Sequence, residues 1–277
     1  MHKKVTYCFF GHHKCATQYI QSILREVCTG LGMRFCKAHG PSSFNHDITR
    51  FLTRKDPDFF FYNNADYDVV KNIPGYKGFH VVRDPRDMVV SAYFSHKFSH
   101  PVDSSPELAR QRKVLNEVPE SEGLLLVMEY MAGVFRDMMS WDRTDKDVKE
   151  YRMEDLVVDA YAGFVEIFRF MGLVEENVSR TSDEWSYIFS YTLRKIFGRG
   201  LKLATIPMGA LLAIVWRNRF SRKASDRKQG EEDIRSHYRK GAAGDWKDRF
   251  NDEHKGLFKE KYNDLLLKYE YEENGEW

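Results

Sequence analysis

The chain has 277 residues, enough to bury a substantial core in one large α/β domain or two small ones. An apolar fraction of 42% with 14% aromatics is that of a globular protein and excludes wholesale disorder. A formal net charge of +2, from 43 Lys and Arg against 41 Asp and Glu, argues against a nucleic-acid binder working by bulk electrostatics.

The first element is KVTYCFF (4–10), a β-rich apolar run suited to a strand covered on both faces. From Thr17 the period changes: Ile20, Ile23, Leu24, Val27 and Cys28 form one helical face, which Gly30 and Gly32 close. Further strands are expected at 33–37, 59–62, 78–82 and 147–152. Helices are expected at about 86–97, 123–140, 157–171 (stopped by Gly172) and 254–269. Strands alternating with helices predict an α/β fold, three layers deep, with a mostly parallel central sheet flanked by helices. One domain over 1–277 is the expectation. The four cysteines, Cys8, Cys15, Cys28 and Cys36, show neither a metal-ligand spacing nor a disulfide framework and read as reduced thiols. The N-terminus has too few consecutive apolar residues for a signal-peptide core, so a cytoplasmic location is the default.

Two stretches carry chemistry. In GHHKCATQ (11–18) a strand passes into a helix, where in a parallel sheet the amides of the first helical turn face a ligand. With Lys14 beside them they suit a phosphate or sulfate, although G-x-x-x-x-G-K-[ST] is absent and an ordinary strand-to-helix turn stays open. In VVRDPRDMVVSAY (81–93), Arg83 closes a strand, Pro85 fits a helix start, and Ser91 follows on that helix. A guanidinium fork and a hydroxyl can serve the same phosphate.

These two stretches and HYRKGAAGDWKDRF (237–250), in this order, resemble the cytosolic-type sulfotransferases, which use 3'-phosphoadenosine-5'-phosphosulfate (PAPS). The resemblance covers most of 5–180 and 220–270 and implies a P-loop-like fold and a transferase that needs no metal. By the same resemblance, Lys14, Cys15, Ala16, Thr17 and Gln18 would cradle the 5'-phosphosulfate, and Arg83, Ser91, Arg239, Lys240 and Gly241 the 3'-phosphate. The acceptor would be a hydroxyl compound, with a large, apolar or lipid-like one in view. Three cations on one phosphate would select a 3'-phosphorylated nucleotide over ATP. Lys14 would stabilise the charge that develops on the oxygen bridging sulfur and phosphate.

Several positions depart from the family pattern. Cys15, Ala16 and Gln18 replace Ser, Gly and Thr, and Ala16 is expected to keep a negative φ unless the loop is strained. Met153 stands where a tyrosine is common. Asn64 stands where many relatives carry the histidine that acts as general base. An imidazole titrates near neutrality, so His39 is the first candidate to replace it, with His46, Asp66, His12 and His13 as alternatives.

Residues of about 183–222 read as an insertion relative to the family. No acidic residue occurs between Glu184 and Asp226, and Trp185, Ile188, Phe189, Leu193, Ile196 and Phe197 repeat at helical spacing. LATIPMGALLAIVW (203–216) is too short and too interrupted to span a bilayer. Two readings stay open: a helical hairpin completing the core and acceptor pocket, or a lid or peripheral membrane-surface element over 185–223. Two rival functions also remain. A P-loop kinase of a small alcohol would need Mg²⁺ and usually a hydroxyl residue after Lys14, where Cys15 stands. A non-catalytic nucleotide- or membrane-binding module would bind without turnover.

Overall fold

The structure, a computed structural model, describes residues 4–102, 105–174 and 181–277. The chain divides into two compact units, Met1–Val82 with Ser140–Arg219 and Arg83–Met139 with Phe220–Trp277. Elements are numbered along the whole chain.

The first unit holds the sheet: β1 (Thr6–Gly11), β2 (Phe35–His39), β3 (Phe59–Asn63), β4 (Tyr76–Val82) and β5 (Val148–Arg152). They are ordered β2-β3-β1-β4-β5, and all four pairings are parallel. Alternate side chains face opposite sides of such a sheet. Phe9 stacks on Phe61 at 4.4 Å and meets Phe79 at 5.2 Å on one side. Cys8, Phe10, Phe60 and Tyr62 join Phe44, Leu52 and Trp141 in a second buried cluster. Burying each large side chain on both faces stabilises by roughly 1.5–3 kcal/mol, which is why β1 and β3 read as apolar runs and not as alternating strands.

The helices of this unit are α1 (Thr17–Gly30), α2 (Ile48–Lys55), α3 (Tyr67–Val70), α8 (Met153–Val158), α9 (Ala160–Phe170), α10 (Thr181–Phe197) and α11 (Met208–Asn218). Helix α1 buries the predicted face Ile20, Ile23, Leu24, Val27 and Cys28, and Gly32 follows at φ 67. Helix α9 is shorter than the expected 157–171, because Asp159 caps it by accepting from Ala162 N at 3.0 Å and residues 153–158 form a helix of their own. Strand β2 lies two residues later than expected. The shift keeps the face parity and carries His39 into the sheet.

The second unit is helical: α4 (Pro85–Phe94), α5 (Pro106–Glu117), α6 (Glu120–Tyr130), α7 (Ala132–Met139), α12 (Phe220–Lys223), α13 (Trp246–Arg249) and α14 (Asp252–Lys268). The single helix expected at 123–140 is two, broken at Met131. Helix α4 packs against α6, α13 and α14, and all of its residues except Ser91 are buried. Pro85 occupies its first turn and Asp84 caps it, accepting from Arg86 N at 2.9 Å. A π turn, Ser95–Ser99, extends it.

Candidate active site

In the first unit the strand register sets His39, Asn63, Gly11, Val81 and Tyr151 in one row across the carboxyl edge of the sheet. The loop after Gly11 starts from that row. Cys15 N donates to His12 O at 3.1 Å, and His13 N donates to Asn64 Oδ1 at 2.8 Å. Asn64 therefore braces the loop backbone, which gives its amide a structural task.

Lys14 (φ 72) and Ala16 (φ 53) are both left-handed, with Cys15 between them on the ordinary side. The expectation of a negative φ at Ala16 is thus overturned: the loop is strained there, by about 1–2 kcal/mol for a residue with a Cβ. An alternation of this kind is the backbone pattern of an anion-binding nest. Ala16 is also the N-cap residue of α1, whose first turn has no side-chain cap and no acidic residue among the described residues. The first-turn amides of an uncapped helix, the positive helix end and the Lys14 ammonium suit an anion. Cys15 is fully buried and its N–H is bonded to His12 O, so it shapes the loop from inside.

The five candidate bases separate clearly. His12 is fully buried, with Nε2 2.8 Å from His80 Nε2. Burial, with the charge of His80 adding to it, holds its imidazole well below the ordinary range. His80 in turn stacks on Trp141 at 3.8 Å, and its Nδ1 lies 3.2 Å from Glu150 Oε2. Burial opposes ionisation of Glu150, but His80 and Arg143 outweigh it and hold the carboxyl below its usual range. Asp66 caps α3 by accepting from Asp68 N at 2.9 Å. His46 is exposed on the turn after β2, and His13 is bonded through its backbone to Asn64.

His39 remains, exposed at the end of β2, with its Nδ1 3.1 Å from Nδ2 of buried Asn63. Asn63 Oδ1 is buried with no hydrogen-bond partner among the described residues. Turned over, this amide would accept from Nδ1–H and fix the tautomer whose Nε2 carries a lone pair. Sequence reasoning missed Asn63, since nothing in the spacing pairs it with a histidine 24 residues away.

The second unit holds the other candidates. Arg83 is 7% exposed and precedes α4, and Ser91 is half-buried on that helix. Arg86 forms a two-point ion pair with Asp84 (3.0 and 2.8 Å) and reaches Glu272 at 2.5 Å. Its guanidinium lies between the rings of Trp246 and Trp277, at 3.8 and 4.5 Å. Asp87 accepts from Gly244 N at 2.7 Å and from Trp246 N at 3.0 Å, fastening the 237–250 segment to α4. Burial raises the Asp87 carboxyl above its ordinary range, against the pull of the Arg83 charge.

Arg239 lies 4.7 Å over the Phe94 ring, so the second and third motifs do meet on α4. Its guanidinium is held by Asp245 and Glu232, and Lys240 reaches Asp245 at 2.5 Å. These cations keep the Asp245 carboxyl below its usual range although burial opposes it. Arg227 Nη1 donates to the Arg239 carbonyl at 2.8 Å, and Gln229 Nε2 donates to the Gly241 carbonyl at 2.7 Å, pinning the backbone here. Gly241 (φ 64) cannot be replaced cheaply, since a Cβ there would lie 2.5 Å from the Phe220 ring. Asp245 and Glu232 are the residues the sequence did not flag.

Among the described residues, no three His, Cys, Asp or Glu side chains converge as a metal centre needs. Comparison with protein-family models finds no match, and neither does comparison with curated proteins. Among solved structures, mouse sulfotransferase SULT7A1 complexed with PAP aligns with a TM-score of 0.54 at 15% identity, over 95% of this chain and 84% of that one. Retinol dehydratase in complex with androsterone and inactive cofactor PAP aligns at 0.47 and 15% identity, over 94% of this chain and 80% of that one. A sulfotransferase from Alicyclobacillus acidocaldarius aligns at 0.36 and 16%, over 72% and 98%. On the first of these, the chain has the P-loop-like α/β fold of the PAPS-dependent sulfotransferases.

Proposed function

We propose that the protein transfers a sulfuryl group from PAPS to the hydroxyl of an acceptor. The observation that carries this reading is the loop at 11–18: left-handed turns at Lys14 and Ala16 lead into an uncapped helix N-terminus on a fold shared with a sulfotransferase complexed with PAP. The donor set fits a phosphosulfate, since it combines backbone N–H groups, a helix end and one cation.

In this reading Lys14 and the amides of Ala16, Thr17 and Gln18 stabilise the charge that collects on the bridging oxygen as the sulfur–oxygen bond breaks, while the Cys15 N–H, bonded to His12 O, holds the loop in shape. His39, with Nδ1 fixed by Asn63, takes the proton from the acceptor hydroxyl at Nε2 as that oxygen bonds to sulfur. The electron pair of the broken bond stays on the departing 5'-phosphate. Arg83 and Ser91 hold the 3'-phosphate, together with the backbone and side chains of Arg239, Lys240 and Gly241. Asp245 and Glu232 hold the Arg239 guanidinium in place, and Arg83 adds a second planar fork ahead of α4. The acceptor is a hydroxyl-bearing molecule.

The test is transfer of labelled sulfate from PAPS to a panel of phenols, steroid alcohols and sugars, with EDTA present. Transfer to at least one acceptor, reduced about a hundredfold or more in Lys14→Ala, is expected. No transfer to any acceptor by protein that binds PAP would refute turnover.

A further inference from the structure

Helix α10 packs the opposite way from its sequence pattern. The side it buries is polar: Ser190 is fully buried, and its Oγ donates to Leu201 O at 3.0 Å. Tyr187 is 5% exposed, and its hydroxyl donates to Glu26 O at 3.3 Å. Its ring fills the space over Gly30, where a Cβ would lie 2.1 Å away. Arg194 Nη2 donates to Met33 O at 3.0 Å. The side left outside is apolar: Trp185 is 66% exposed, Ile188 52%, Phe189 56%, Ile196 66% and Phe197 69%. These five positions fall at i, i+3, i+4, i+11 and i+12, so they share one stripe of the helix. A soluble surface rarely leaves that much contiguous apolar side chain to water.

The charge around the stripe has one sign. Lys195, Arg199 and Lys202 are exposed, and no acidic residue occurs from 185 to 225. The acids of the helix, Asp183 and Glu184, are confined to its first turn, where the Glu184 carboxylate lies against Gly209 of α11. Asp58 faces one of the three cations, 3.7 Å from Lys202.

We propose that α10 docks on the surface of an anionic lipid bilayer, with the 185/188/189/196/197 stripe at the acyl boundary and Lys195, Arg199 and Lys202 among the headgroups. The helix has 17 residues, about 25 Å at the usual rise, and among the described residues no helix is long and apolar enough to cross a membrane. An amphipathic helix with aromatic and aliphatic residues on one side and cations at its margin lies in the interface plane. A second copy is the less favoured occupant, because a twofold contact through this face would set the same cations against each other. The proposal stands independently of the sulfuryl-transfer reading.

Co-sedimentation of the full-length protein with vesicles of phosphatidylcholine, alone and mixed with phosphatidylserine, tests it. The protein is expected to pellet with the mixed vesicles at low salt, to bind phosphatidylcholine alone weakly, and to be released by high salt. Ile188→Glu combined with Phe189→Glu places charge on the stripe at exposed positions and should abolish binding with an unchanged circular dichroism spectrum. Lys195→Glu leaves the stripe intact and should weaken binding about tenfold or more. The proposal is overturned if the wild type stays in the supernatant with mixed vesicles at low salt, or if the double variant pellets as well as wild type. A vesicle-free dimer that the double variant loses, with no vesicle binding, overturns it in favour of a second copy.

Discussion

Ala16→Gly gives a prediction whose sign is opposite to ordinary expectation. Ala16 sits at φ 53 at the mouth of α1, and a Cβ in that conformation costs about 1–2 kcal/mol that glycine does not incur. Glycine in turn loses about 0.4–1 kcal/mol through its freer unfolded chain. The difference leaves the variant more stable by about 0.5–1 kcal/mol, an upward shift in Tm of roughly 1–2 °C for a chain of this size. The control is Ala213→Gly, at an exposed interior position of α11, where the same chemical change should destabilise by about 1 kcal/mol. Thermal unfolding of wild type and both variants in one buffer reads the two signs directly. If Ala16→Gly destabilises as Ala213→Gly does, Ala16 is not left-handed in solution and the nest at residues 13–17 is wrong.

Four further outcomes follow from the same geometry. His39→Ala should reduce turnover about a hundredfold or more while leaving PAP affinity within a factor of about two. Asn63→Asp should move the acidic limb of the rate profile up by about one pH unit, because a carboxylate favours the charged imidazole; an unmoved limb would remove His39 as the base. His12 is held neutral by burial, so the unfolded chain binds a proton that the folded one does not, and stability should fall as pH drops below about 6.5, by at most about 1.4 kcal/mol per unit. Denaturant unfolding of wild type and His12→Phe between pH 7 and pH 5 checks this, since the variant should lose that part of the dependence. Gly241→Ala should destabilise by about 1–2 kcal/mol and weaken PAP binding, read by thermal unfolding and titration.

The parallel sheet and the helix after it were legible because both signals are local. An apolar run followed by Ile20, Ile23, Leu24 and Val27 fixes a strand and one helix face without reference to the rest of the chain. The Asp84–Pro85 start of α4 is local too, and the structure shows it as read. What the sequence hid depends on distant partners. His12 and His80 are 68 residues apart, and Arg239 with Lys240 is read as an open cation pair until Asp245 and Glu232 are seen to hold them. The strain at Ala16 was raised only as a condition, because backbone sign is not written in the residue type. Helix α10 is the sharpest case. Its apolar period is correct, but periodicity assumes the apolar side is buried, and here Tyr187, Ser190 and Arg194 anchor the other side.

The central claim is that the 11–18 loop and the Arg83 group serve a 3'-phosphorylated nucleotide. Calorimetric titration with adenosine 3',5'-bisphosphate and with ADP, both in EDTA, tests it most directly. The account predicts metal-independent binding of the bisphosphate, tighter than ADP by about tenfold or more, with that preference lost in Arg83→Ala because a charge-assisted contact of about 1.5–3 kcal/mol is removed. Absence of binding, or an equal response to the two nucleotides, would contradict it.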